Sequence, residues 1–159
     1  MSVMMVACQG LKMFEGTVDD DFRSSHFDHD AVEVNENTKW PCFGDGLEVG
    51  SIYMYEEDAW FDFGKERVLN ADLEKLADLV GYDWRMPGAD DPGPFREMFR
   101  WGGRGTIGPI VSAKLVADFA EWDERARALG DDHFYGFYKN SQAMFEFATR
   151  DGCVFLRCS

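Results

Sequence analysis

The 159-residue chain contains no run of about 18 apolar residues, so no membrane-spanning helix is expected. Its opening, MSVMMVACQGLKMFEG, lacks a cationic stretch ahead of the short apolar run, and a secretory leader is not expected either. Cys8, Cys42, Cys153 and Cys158 form no C-x-x-C pair, which fits a reducing compartment and makes the cytoplasm the expected location. Cys153 and Cys158 lie in CVFLRC, which reads as a terminal strand. They would sit about 16 Å apart there and on opposite faces, too far to share a metal, so buried inert thiols are expected.

Signatures of chemistry are also scarce. There is no G-x-S-x-G elbow, no H-E-x-x-H, no EF-hand loop and no P-loop Gly-Lys-Ser/Thr. His26, His29 and His133 are the three histidines. His26-Phe27-Asp28-His29-Asp30 offers nitrogen and oxygen ligands but at no known spacing, and a solvated acidic loop is the expectation. Glu56-Glu57 is no signal of acid–base work in a chain with 30 acids. A Cys–His pair assembled in space stays open, because such partners need not be close in sequence.

The scarcest commodity is positive charge: 16 Lys and Arg face 30 Asp and Glu, for a net charge of −14. The imbalance is local. Residues 1–62 carry 14 acidic and 3 basic side chains, net −11, and residues 63–159 carry 16 and 13, net −3. Such a field repels nucleic-acid phosphates and anionic lipid and favours a basic protein surface. The plain alternative is that the acidity serves solubility.

What is abundant is core material, with 45% hydrophobic and 15% aromatic residues, enough for one folded domain. The first part reads as strands and loops: VMMVAC as a first strand, TVDDDFRSSHFDHD as a polar loop, AVEV and LEVGSIYMYEE as strands, and KWPCFGDG as a turn between them. From Asn70 the pattern becomes helical, with Leu73, Leu76, Ala77 and Val80 on one stripe and Gly81 as a left-handed stop. MPGADDPGP reads as a loop and PFREMFRW as a short helix begun by Pro94. Over 109–129, Val111, Leu115, Phe119, Trp122, Ala126 and Leu129 recur at helical spacing on one face. A second amphipathic helix follows, ending at Asp151-Gly152 before CVFLRC. The expected fold is α+β in one acidic domain over 1–159: an antiparallel sheet from the N-terminal half plus the C-terminal strand, packed against an α-helical C-terminal half. The five tryptophans are mostly core or edge-of-core residues by default, but one on a concave acidic face would be an interface anchor.

Gly103-Arg104-Gly105-Thr106-Ile107-Gly108 spells G-x-G-x-x-G. A dinucleotide fingerprint needs a strand before it and an acidic residue ending a second strand about 20 residues on, and helical segments occupy both places. A tight helix-to-helix connector is expected. The alternative is a simple anion site of Arg104, Gly105 and Gly108 at a helix start.

GTIGPIVSAKLVADFAEW and MFEFATRDGCVFLRC resemble segments of a group of small phage- and prophage-encoded proteins of unknown function. In these, an IGP-x-V-x-AKL-x-x-DF helix precedes a second amphipathic helix ending A-x-x-x-G-x-V and a short terminal strand. The resemblance covers about residues 94–157. It implies an accessory phage gene, a class rich in inhibitors of bacterial defence, and no enzyme activity and no cofactor.

These readings give the expected function: a non-enzymatic, anti-CRISPR-like inhibitor acting in the bacterial cytoplasm. It would bind a basic host protein, and neither nucleic acid nor membrane directly, through Asp19, Asp20, Asp21, Asp28, Asp30, Glu56 and Glu57. The competing expectations are an enzyme or a protein that binds or sequesters a small ligand or nucleotide at Gly103–Gly108, and an immunity protein against a toxin.

Overall fold

The computed structural model describes residues 2–27, 29–83, 85 and 92–157. Strand β1 (Ser2–Gln9) runs through the middle of the molecule. It is the central strand of a three-stranded antiparallel sheet, flanked by β5 (Glu57–Lys65) and β6 (Cys153–Arg157). Both of its faces are covered, which explains its nearly unbroken apolar run. Met5 and Ala7 join the larger hydrophobic core on the helical side, and Val6 and Cys8 join a smaller one on the other side.

That smaller core is closed by a second three-stranded sheet, in the order β2 (Lys12–Met13), β4 (Ile52–Met54), β3 (Ala31–Glu33). Val32, Val34, Tyr53 and Tyr55 pack there against Val6, Cys8 and Cys153. On the opposite face, α5 (Asp132–Ala148) and α2 (Glu66–Val80) lie against β1 and β5, and α4 (Pro109–Ala128) packs on α5. A short α3 (Arg96–Trp101) completes the helical side. The architecture is the expected α+β arrangement, with the N-terminal strands divided between two sheets rather than joined in one.

The stripe on α4 buries Val111, Leu115, Phe119 and Ala126, with Phe119 against Phe95, Tyr138 and Phe145. Its two other members differ from expectation. Trp122 is half-buried under the Arg125 guanidinium, and Leu129 caps the helix and is 47% exposed. Helix α2 starts four residues before Asn70, straight from β5, and stops at Gly81 with φ 71° as expected. Helix α3 starts at Arg96 rather than Pro94. In the loop MPGADDPGP, residues 86–91 lie outside the described residues.

Two N-terminal readings are corrected. Residues 20–26, expected in a polar loop, form helix α1 (Asp20–His26), because Asp19 caps it by accepting the Phe22 amide hydrogen bond at 2.8 Å. Residues 57–65, unassigned in the sequence reading beyond Glu57, form the longest strand, β5. Cys8 and Cys153 face each other in register across β1 and β6, both fully buried. The contact with Cys153, followed by burial, holds the Cys8 thiol far above its ordinary pKa, as suits an inert core thiol. Cys158 lies outside the described residues.

Candidate interaction surface

Much of the acidity of the first part stands on one lobe, on α1 and along β5 at the edge of the first sheet, whereas Glu36 and Asp45 lie against the glycine loop. Asp19, Asp20 and Asp21 stand at the amino end of α1, where the helix dipole favours negative charge. This helix buries none of its own residues and is fastened by Phe22, which stacks on Phe14 at 4.3 Å and lies beside His26. Asp30 follows, its Oδ1 2.8 Å from His26 Nδ1 and its carbonyl accepting from the Tyr55 amide at 2.9 Å. Asp28 lies outside the described residues.

Tyr55 links this corner to the edge strand. Its hydroxyl donates to Asp58 Oδ2 at 3.3 Å. Burial, reinforced by the Cys8 thiol and the Asp58 carboxylate, raises the Tyr55 phenol above its ordinary pKa, so it remains a donor. Glu56 and Glu57 lie at the turn into β5, where the Glu56 amide donates to the Gln9 carbonyl and the Gln9 side chain donates to Glu57 Oε2 at 2.7 Å. Asp58, Trp60 and Asp62 then alternate along one face of β5, and Ala59, Phe61 and Phe63 occupy the other. Phe61 and Phe63 pack into the core. Trp60 is 46% exposed, with the Arg157 guanidinium 4.6 Å from its ring centroid and its indole N–H directed at Asp58 Oδ2. Trp60, expected with the other tryptophans at the core or its edge unless it stood on an acidic face, stands exposed beside the Asp58 carboxylate. The period-two pattern Asp58-x-Trp60-x-Asp62 is the signal that marks it as outward-facing.

Among the described residues, the carboxylates of this lobe make one ion pair, His26 with Asp30. In the helical half five meet a Lys or Arg: Glu97 and Asp118 with Lys114, Asp123 with Arg127 and Lys139, Asp131 with Lys75, and Glu74 with Arg85.

The glycine loop belongs to the frame. Thr106 and Asn35 exchange hydrogen bonds, Asn37 Nδ2 donates to the Arg104 carbonyl, and Trp101 Nε1 donates to that of Gly105. Ile107 pairs with Val154 of β6. Gly105, at φ 75°, lies so close to the backbone of Glu36 and Asn37 that a Cβ would fall 2.6 Å from the Asn37 nitrogen. At Gly108 a Cβ would meet the Asp45 carbonyl oxygen at 2.5 Å, and the Gly108 amide donates to the Phe43 carbonyl at 2.7 Å. Carbonyl oxygens therefore crowd the start of α4, a poor environment for an anion.

His133, at the start of α5, directs Nε2 to Asp72 Oδ2 at 3.2 Å. Burial raises the Asp72 carboxyl above its ordinary pKa while the adjacent imidazole pulls it back. An Asp–His pair can orient an imidazole as a base. Neither cleft beside it is lined by a described serine, threonine or cysteine to serve as nucleophile. Cys8 and Cys153 face each other in the core instead, and among the described residues no three His, Cys, Asp or Glu side chains gather as metal ligands. No described helix is long and apolar enough to cross a membrane. No family model, curated protein or solved structure matches the chain.

Proposed function

We propose that the chain is a binding protein that docks its acidic lobe on a basic protein surface, with Trp60 as the anchor. The observation that carries this reading is the edge of β5, where an exposed indole stands between Asp58 and Asp62 on a lobe whose carboxylates, His26–Asp30 aside, lack cationic partners among the described residues. A half-exposed tryptophan supplies contact area, and the uncompensated field steers a cationic partner toward it. The same charges shield the open strand edge against pairing with another copy.

The finer reading is an inhibitor of a bacterial defence system, anti-CRISPR-like, covering the positive channel of a nucleic-acid-binding effector in the host cytoplasm. It rests on the phage-protein resemblance of residues 94–157 together with the acidity. An immunity protein against a basic toxin shares these electrostatics. The test is capture from bacterial lysate on the immobilised protein, followed by measurement with the purified partner. The proposal expects a basic partner whose affinity falls at least about tenfold with Trp60→Ala, as for an interface anchor. A partner that binds Trp60→Ala and the wild type equally well would refute the docking face.

A further inference from the structure

A cavity of about 380 Å³ lies on the helical side of the first sheet, across that sheet from the acidic lobe, between α2, α3, α5 and the ends of β1 and β6. Its volume is in the range of small-molecule sites and equals that of on the order of a dozen waters. Eight buried apolar residues make its wall, among them Phe63, Phe137 and Phe145 and three methionines, Met5, Met98 and Met144, the side chain best able to adjust to a guest. Among them sits one polar group. Ser141 is fully buried, lines the cavity, and its hydroxyl has no hydrogen-bond partner.

An unpartnered hydroxyl in an apolar wall weakens the fold and does nothing for packing, since the Phe137–Phe145 face of α5 is otherwise built of large apolar side chains. A guest with one hydrogen-bonding atom at its inner end would satisfy it. The exposed or half-exposed rim includes Ser2, Glu66 and Asn70, and Arg157 lines it while its guanidinium lies over the Trp60 ring. Among the described residues the wall itself carries no charged group, which favours a neutral guest.

We infer that this cavity is a binding site for a small neutral molecule, mainly apolar, that exchanges a hydrogen bond with Ser141. The site is separate from the acidic lobe, and neutralising that lobe leaves it intact.

Titration of the full chain with 2-naphthol and with naphthalene tests the inference, read by ligand fluorescence and by protein NMR shifts. Wild type should bind one 2-naphthol per chain saturably. Ser141→Ala should weaken 2-naphthol about tenfold, the loss of one hydrogen bond, and leave naphthalene within about twofold. Its melting temperature should equal or exceed that of the wild type, because an unpaired hydroxyl is gone. Leu73→Trp, at the half-buried mouth, should fill the cavity and abolish both. Absence of saturable binding to folded wild type, equal response of both probes to Ser141→Ala, or binding that survives Leu73→Trp would each overturn the site.

Discussion

Residues 1–62 and residues 63–159 hold similar numbers of acids, 14 and 16, but deploy them in opposite ways. Among the described residues of the helical half, five carboxylates have a Lys or Arg beside them, and Asp123 alone takes Arg127, Lys139 and the Tyr135 hydroxyl. In the N-terminal lobe acids cap a helix, accept from Gln9 or Tyr55, or face solvent, with few cations to answer them. Local pairing makes the first kind of acid invisible from a distance, whereas the second kind adds up to a field. A charge total does not distinguish the two.

The comparison can be broken most forcefully at one aromatic from each region. Phe119, fully buried in the helical half, should cost about 3 to 5 kcal/mol as Phe119→Ala in urea unfolding. Trp60→Ala, on the acidic edge, should cost less than about 1 kcal/mol while impairing partner binding. Similar stability losses at the two positions would mean that Trp60 is a folding residue. Trp122→Ala should fall between them, since that ring is half-buried. Gly108→Ala should cost about 1 to 3 kcal/mol, because the Gly44 and Asp45 carbonyls must move to admit a methyl group. A fully stable variant there would mean that the start of α4 is roomier than the carbonyl contacts imply.

Legibility followed the same division. Helix α4 could be read because Val111, Leu115, Phe119 and Ala126 obey one period over about four turns. Leu129 misled because the stripe outlasts the helix, and the chain has already turned at Gly130. Helix α1 was missed because it buries no residue of its own, so it has no apolar period to read; only the Asp19 cap betrays it. Strand β5 was missed because Trp60 interrupts the alternation of apolar and acidic residues. The glycine loop was legible as a connector, but its tight seam with residues 35–37 depends on contacts about 70 residues apart in sequence that no local pattern carries. The acidic total was legible; that its carboxylates make one ion pair among the described residues is a matter of which strands become neighbours.

Smaller effects sharpen the electrostatic side. Raising NaCl should stabilise the wild type by relieving repulsion in the lobe, about 0.2 to 0.5 kcal/mol for each close like-charge pair. In an Asp19→Asn, Asp20→Asn, Asp21→Asn, Asp30→Asn variant the gain should shrink, with the α1 cap kept because asparagine caps as well as aspartate. An unchanged salt response would remove the repulsive field. In the helical half, hydrogen bonding from Arg127 foremost holds the Asp123 carboxyl down to about 2. A depressed folded-state value means that its stabilisation is complete above the unfolded value near 4, and is lost as pH falls toward 2. Asp123→Asn should therefore flatten the acid limb of the stability curve between those values. An unaltered acid limb would show that the pairing contributes nothing.

The measurement that bears most directly on the acidic lobe as a docking surface is the association rate with the captured partner, between about 50 and 300 mM salt, for three proteins. These are the wild type, the four-residue lobe variant, and a control carrying Asp131→Asn and Asp132→Asn in the helical half. The account predicts a steep fall with salt for wild type and control, and a slow, nearly salt-independent rate for the lobe variant. Equal slopes in all three, or equal losses from the two sets of substitutions, would contradict it.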